Sequence, residues 1–158
     1  MYPDVKPVCQ RLHPIHPKKA IASKAEVENL LCASFIYPIP LTEWVFNVVL
    51  VMEKQGTIRV CVDYQDFNLA CPKDNYPTPF IDQIIDDCAG CKIFSFMDGF
   101  SSYNQMNICP DDQHKTTFIY PWGTFAYRKL LFGLKNTGET FQRAMDYAFN
   151  NKKHIVQP

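Results

Sequence analysis

The stretch that decides the fold is Ile93-Phe94-Ser95-Phe96-Met97-Asp98-Gly99-Phe100-Ser101-Ser102-Tyr103. Its first two phenylalanines and Asp98 occupy alternate positions, so in a strand their side chains share one face and the carboxylate lies at its end. Gly99 permits a turn that returns Tyr103 over the carboxylate. The pattern predicts either a metal ligand or an ordinary strand end, because Asp-Gly after an apolar run is also a hairpin signal.

Composition predicts one compact domain. Of the 158 residues, 47% are hydrophobic and 20% are charged, which suits a chain with a real core. The formal net charge is +0, so any contact with nucleic acid must be local rather than driven by a global basic field. The sequence has neither a long apolar run nor a signal peptide, which predicts no membrane association and an intracellular location, in the cytoplasm or the nucleus.

The cysteines predict reduced thiols rather than a disulfide framework. There are seven, an odd number, and they are scattered along the chain. Cys88 and Cys91 have the spacing of a zinc-binding pair, but no second pair follows at a finger-like distance. A zinc-organised interaction module around these two residues is therefore kept as an alternative.

The N-terminal segment 1–23 combines prolines with basic residues, which predicts an extended basic arm that contacts phosphates or is merely solvated. Ser23 is predicted to be the N-cap of a helix, because Glu26 follows at the position that completes a capping box. Further along, two β-branched apolar runs, 45–52 and 58–64, predict a hairpin with Lys54 at its tip and Arg59 near the start of its second strand.

The remaining periodicities predict a short helix that ends at Gly90, and a strand around Met106 and Ile108. A helical turn from Pro110 to Lys115 is expected to precede a second hairpin, 117–129. A final helix is predicted over Thr137–Asn150, and residues 151–158 show no periodicity.

Four separated blocks of this sequence occur in a specific order: Arg59–Asn68, Phe94–Tyr103, Thr117–Tyr127, and Phe132–Asn136 with Thr140-Phe141-Gln142. Together they closely resemble the fingers and palm of reverse transcriptases from gypsy-type long-terminal-repeat retrotransposons. The resemblance implies an α+β fold of the polymerase type, in which an antiparallel sheet packs with a few helices. Fingers and partial palm would span 24–150, after the arm 1–23 and before an unstructured tail 151–158.

The resemblance implies nucleotidyl transfer from a dNTP to a primer 3′-OH on an RNA or DNA template. This chemistry uses two Mg²⁺ ions about 4 Å apart, each held by carboxylates. Asp98 would be the catalytic residue and metal ligand, with the Gly99 carbonyl beside it. Lys54 and Arg59 would reach the triphosphate, since an ammonium and a forked guanidinium both suit phosphate oxygens.

By the same resemblance, Tyr103 would lie under the sugar and exclude a 2′-OH by steric clash. Phe132 and Gly133 would open the loop that contacts template and nucleotide, with Gln142 in support. The partners implied are an RNA/DNA template-primer, dNTP and the rest of a retroelement polyprotein.

The 158 residues contain no Tyr-x-Asp-Asp motif, which carries the second set of catalytic carboxylates in the family that this sequence resembles. A single carboxylate cannot hold two hydrated Mg²⁺ ions, so the chain is expected to be a fragment that is inactive alone. The alternative from another functional class is a non-catalytic remnant that binds nucleic acid through the basic arm and the first hairpin.

Overall fold

The computed structural model describes residues 1–2, 4–52, 58–93, 95 and 102–152. No helix in these ranges is both long enough and apolar enough to cross a lipid bilayer. The helices are α1 (Pro17–Cys32), α2 (Gln65–Ala70), α3 (Ile81–Cys88), α4 (Pro110–Gln113) and α5 (Thr137–Ala148), with 3₁₀ turns at Ser102–Gln105, His114–Thr116 and Asn150–Lys152. The strands are β1 (Ile36–Pro38), β2 (Phe46–Met52), β3 (Ile58–Val62), β4 (Phe118–Tyr120) and β5 (Gly123–Tyr127).

The five strands form one sheet in the order β1-β5-β4-β2-β3. Three of the neighbouring pairs are antiparallel, as expected, and two of them are the predicted hairpins β2–β3 and β4–β5. The pair β2–β4 is parallel, with Phe46 opposite Phe118, and joins strands of two different hairpins. The mixed α+β architecture predicted from the sequence is confirmed.

Aromatic rings fill the centre of the core. Phe46 on β2 and Phe118 on β4 are both fully buried. The ring of Phe46 lies 5.1 Å from the ring of Tyr64 and 5.9 Å from that of Phe67, measured between centroids. Burying a side chain of this size contributes roughly 1.5–3 kcal/mol. The contact between Phe46 on β2 and Phe67 on α2 therefore stabilises the packing of α2 on the first hairpin.

Most of the predicted elements are present. The helices expected before Gly90 and after Thr137 are α3 and α5, and the turn after Pro110 is α4 followed by a 3₁₀ turn. The strand predicted around Met106 and Ile108 is wrong as a full strand, since the structure has only an isolated bridge between Asn107 and Lys129. The preceding residues form a 3₁₀ turn, which leaves little extended chain to pair.

The prediction that Ser23 begins the first helix is wrong. α1 begins at Pro17, and the His16 side chain at the N-cap accepts a hydrogen bond from the Lys18 backbone N–H. Proline is well suited to the first helical position, where its missing N–H costs nothing. Ser23 lies inside α1 and is buried. Its hydroxyl hydrogen-bonds to the Lys19 carbonyl and to the Tyr120 hydroxyl. The helix thus takes in the end of the segment that was predicted to be extended.

The residues before α1 run beside β2. Cys9 forms a parallel bridge with Val45, flanked by backbone hydrogen bonds from Val45 N to Val8 O and from Gln10 N to Val45 O, each 2.9 Å. The buried side chain of Asn47 accepts from the His13 N–H at 2.9 Å and donates to the Arg11 carbonyl at 2.8 Å. This part of the arm is therefore docked on the sheet.

Candidate nucleic-acid interface

Three aromatic rings meet beside the loop that joins β5 to α5. The ring of Tyr103 lies 4.5 Å from that of Phe132 at an interplanar angle of 89°, and 5.0 Å from that of Phe141 at 71°. Both contacts are edge-to-face, the arrangement that the charge distribution of aromatic rings favours. We call Tyr103, Phe132 and Phe141 the aromatic cluster.

Each ring of the aromatic cluster comes from a different element. Tyr103 lies in the 3₁₀ turn Ser102–Gln105, and Phe141 lies in α5. Phe132 lies in the loop before α5, and 75% of its surface is exposed. An exposed aromatic face can stack on a nucleobase or a sugar, which is how many proteins hold single-stranded nucleic acid without reading its sequence.

The side chain of Asn68, on α2, bonds to the loop that carries Phe132. Asn68 Nδ2 donates to the Gly133 carbonyl at 2.7 Å, and Asn68 Oδ1 accepts from the Lys135 N–H at 2.8 Å. Gly133 has φ +98°, a conformation that residues with a Cβ rarely adopt. Asn68 thus fixes the backbone on both sides of a sharp turn.

Lys135 and Asn136 extend this attachment to the end of α2 and the chain beyond it. The Lys135 ammonium donates to the carbonyls of Asn68 at 3.2 Å and Cys71 at 2.8 Å. A cation at this position also suits the negative end of the helix dipole. Asn136 donates to the Pro72 carbonyl at 2.9 Å and accepts from the Asp74 N–H at 3.0 Å.

Side chains of α5 bond to residues 74–76, in the segment that follows α2. Arg143 donates to Asp74 Oδ2 at 2.6 Å, and its guanidinium lies 4.6 Å from the centroid of the Tyr76 ring. The Tyr76 hydroxyl donates to Asp146 Oδ2 at 2.7 Å. The hydrogen bond from Arg143 lowers the pKa of Asp74, and the hydrogen bond to Asp146 raises the pKa of Tyr76.

The sequence of this chain is similar to those of transposon polyproteins of Schizosaccharomyces pombe. The Transposon Tf2-3 polyprotein is 29% identical over 148 residues, and the Transposon Tf2-7 polyprotein is 30% identical over 148 residues, each match covering 92% of this chain. The chain is homologous to retrotransposon polyproteins. It spans 11% of the length of each of them. No model of a known protein family matches the sequence.

Solved structures with the same fold include the protease-reverse transcriptase of foamy virus. The native Prototype Foamy Virus protein gives a TM-score of 0.74 at 19% identity, over 94% of this chain and 20% of that one. A foamy viral protease-reverse transcriptase in complex with an RNA/DNA hybrid gives 0.79 at 17% identity, over 98% of this chain and 21% of that one. These likenesses confirm the polymerase-type fold that the sequence predicted.

In this retrotransposon-related chain, the structure brings some of the predicted site residues together. Tyr103, Phe132 and Gly133 lie at the aromatic cluster and its loop. Arg59 is exposed on β3, opposite Val51, and Gln142 is half-buried on α5. The other predicted site residues, Lys54, Asp98 and Gly99, lie outside the described residues, so their assigned roles stay predictions.

Metal binding was predicted at Asp98, with zinc at Cys88 and Cys91 as an alternative. Within the ranges that the structure describes, no three histidine, cysteine or acidic side chains come together in a way that could hold a metal ion. Cys88 and Cys91 are joined there by a backbone hydrogen bond of 2.9 Å at the end of α3. Asp98 lies outside those ranges, and the Mg²⁺ site stays a prediction.

Sequence reasoning missed the residues that hold the loop. Asn68 and Lys135 are 67 positions apart, and no periodicity or spacing links them. Both occur within the blocks that resemble reverse transcriptases, but those blocks gave neither residue a role. The sequence placed Phe141 in the final helix and in the block Thr140-Phe141-Gln142 without giving it a role, and its contact with Tyr103 also depends on tertiary structure.

Proposed function

We propose that this chain is the fingers and the first part of the palm of an RNA-directed DNA polymerase from a gypsy-type long-terminal-repeat retrotransposon. The aromatic cluster carries the proposal, because Tyr103 and Phe132 come from separate sequence blocks that both predict contact with nucleotide or template. Homology to retrotransposon polyproteins and the shared fold with foamy viral protease-reverse transcriptase support it.

In this proposal the chain's own residues bind and orient the substrates. Lys54 and Arg59 bind the triphosphate of the incoming dNTP, and Tyr103 lies under its sugar and rejects a 2′-OH by steric clash. Two Mg²⁺ ions, when bound, neutralise charge on the transferred phosphate and activate the primer 3′-OH. Asp98 would hold them together with carboxylates from a Tyr-x-Asp-Asp motif, and the Gly99 carbonyl would assist.

The implied partners are a template-primer of RNA and DNA, a dNTP and the remainder of a retroelement polyprotein. One similar structure is a foamy viral protease-reverse transcriptase bound to an RNA/DNA hybrid, which makes such a hybrid the natural first ligand to test. We propose that these encounters occur inside the cell, in the cytoplasm or the nucleus.

A polypeptide of these 158 residues alone should not polymerise DNA, because it contains no Tyr-x-Asp-Asp motif. A primer-extension assay with oligo(dT) on poly(rA) and Mg²⁺ tests this directly. We expect no incorporation above background. Incorporation by the wild-type polypeptide that disappears in Asp98→Asn would contradict the expectation of inactivity.

A second candidate function is a remnant that binds nucleic acid without catalysis. The observation that favours it is the docked arm, in which Arg11, His13 and His16 are exposed beside β2 and the start of α1. Basic side chains held on a fixed backbone can bind phosphates in any sequence.

Fluorescence anisotropy with a labelled RNA/DNA hybrid separates the two functions. The polymerase proposal predicts that Phe132→Leu, in the loop that contacts the template, weakens binding by about tenfold, since one lost stacking contact is worth about 1–3 kcal/mol. Tyr147→Leu is the matched control, because Tyr147 is 88% exposed on α5. The remnant instead predicts that Arg11→Gln with Lys18→Gln weakens binding while Phe132→Leu has no effect.

A further inference from the structure

Asn68 stands out because one amide side chain reaches across the molecule to two backbone groups of the Phe132 loop. Its Nδ2 group donates to the Gly133 carbonyl, and its Oδ1 atom accepts from the Lys135 N–H, at 2.7 and 2.8 Å. Both functions of the amide are thereby used. The loop presents an acceptor and a donor to this side chain, and an amide matches them with a donor and an acceptor on two separate atoms.

Phe132 needs such support from outside its own loop. With 75% of its surface exposed, the ring gains little from burial, and it packs edge-on against the ring of Tyr103. Gly133, the next residue, has φ +98°, and a Cβ placed there would meet nothing within 4 Å. Leu131 and Leu134 on either side pack on the core, but residues 132 and 133 between them project from it. The hydrogen bonds of Asn68 act at this exposed part of the loop.

Asn68 itself is held firmly. It lies in the last turn of α2, where its N–H donates to the Tyr64 carbonyl at 2.8 Å and its carbonyl accepts from the Lys135 ammonium. Tyr64 is almost fully buried in the aromatic core, and its hydroxyl donates to the Thr116 carbonyl at 2.7 Å. The side-chain amide thus connects a rigid core to an exposed loop.

We propose that Asn68 is a positioning residue that holds Phe132 against Tyr103 and so keeps the aromatic cluster in the arrangement that binds template and nucleotide. This inference rests on the proposed function for the ligand, but its structural half can be tested without any ligand. Lys135 and Asn136 add anchors after the turn, whereas Asn68 alone bonds to Gly133 within the described residues.

The structural test uses 4-fluorophenylalanine at position 132 and fluorine NMR of the whole chain. In the otherwise wild-type chain, the Tyr103 ring should displace the fluorine resonance, and Tyr103→Leu gives the position without that ring. Asn68→Ala should move the resonance most of the way to the Tyr103→Leu position. Leu69→Ala is the matched control, because Leu69 is the next residue of α2 and 78% exposed, and it should leave the resonance unchanged.

A second variant guards against misfolding of the first. Asn68→Asp keeps the acceptor for Lys135 but loses the donor to Gly133, so its resonance should lie between those of wild type and Asn68→Ala. Circular dichroism and amide spectra report whether each variant is folded. If both variants fold and both keep the wild-type resonance, Asn68 does not position Phe132.

The functional half is tested by anisotropy with the same RNA/DNA hybrid. Asn68→Ala should weaken binding about fivefold, and Leu69→Ala should not. If the wild-type chain fails to bind the hybrid, the proposed function fails, while the fluorine comparison still decides whether Asn68 holds the loop. Unchanged hybrid binding in a folded Asn68→Ala variant, with the wild-type chain binding normally, would overturn the role in ligand binding.

Discussion

The ring of Tyr103 meets the ring of Phe132 edge-on, with the two centroids 4.5 Å apart. The first residue lies in a 3₁₀ turn and the second in an exposed loop before α5. Two short irregular segments, distant in sequence, thus present neighbouring aromatic surfaces.

The Tyr103–Phe132 contact should appear as an energetic coupling. Edge-to-face pairs contribute about 0.5–1.5 kcal/mol beyond burial, so the double variant Tyr103→Leu with Phe132→Leu should lose about 1 kcal/mol less than the sum of the single losses. Urea unfolding of all four proteins gives this coupling. Combining Phe132→Leu with the exposed-surface change Tyr147→Leu provides the additive control, and additivity in the first pair would mean that the rings do not interact.

Gly133→Ala should destabilise the chain by about 1–2 kcal/mol through backbone strain alone, because φ is +98° and the added Cβ would meet no atom within 4 Å. Gly138→Ala, in the first turn of α5, also adds a methyl group in open space. That change should stabilise the chain by about 0.5 kcal/mol through helix propensity. Thermal or urea unfolding compares the two, and equal effects would argue against strain at Gly133.

Ser34→Gly should raise stability by about 1 kcal/mol. Ser34 follows α1 with φ 59°, and its N–H donates to the Leu31 carbonyl at 2.9 Å. Glycine is the residue preferred at such a helix end, because it has no Cβ to strain. Ser34→Ala is the control and should give no gain. A higher unfolding midpoint for the alanine variant than for the glycine variant would contradict this explanation.

The Asp74–Arg143 pair should make stability depend on pH in the acid range. Because the Arg143 hydrogen bond lowers the pKa of Asp74 in the folded chain, its contribution is complete above the ordinary value of 3.8 and is lost as pH falls through the lowered value. In Arg143→Gln the pKa of Asp74 should rise toward 3.8. The difference in unfolding free energy between the two proteins should then shrink as the solution is acidified.

Carboxyl-detected NMR follows the titration of Asp74 in each protein. Arg128→Gln is a control for general loss of positive charge, because Arg128 lies over the ring of Tyr37 at 4.8 Å rather than beside Asp74. It should leave the Asp74 titration unchanged. An Asp74 titration that is identical in wild type and Arg143→Gln would show that the pair does not form in solution.

Local sequence patterns were sufficient for the elements whose partners are close in the chain. Both hairpins and the helices α3 and α5 follow from periodicity and turn residues. The start of α1 was misplaced because Ser23 satisfies a capping pattern locally, whereas in the fold it serves a buried hydrogen bond to Tyr120. Local propensity competes with tertiary contacts, and here the tertiary contact prevailed.

In the candidate site, too, some residues could be predicted from the sequence and others depend on tertiary contacts. Tyr103, Phe132 and Gly133 could be predicted because they occur in blocks that resemble reverse transcriptases. The sequence block gave Asn68 no role, because its hydrogen bonds to Gly133 and Lys135 form only once the fold brings α2 beside the loop. The parallel pairing of β2 with β4 was missed for the same physical reason, since it joins two hairpins that are far apart in sequence.

The most direct test of the central claim is amide NMR of the 158-residue chain during titration with an RNA/DNA hybrid. We expect the largest shifts on the loop 132–136 and on Tyr103, whose ring contacts Phe132, and we expect the affinity obtained from them to fall steeply as salt rises toward physiological concentration. Shifts confined to residues 1–23 and the hairpin β2–β3, with the aromatic cluster unaffected, would contradict the polymerase proposal and favour a nucleic-acid-binding remnant.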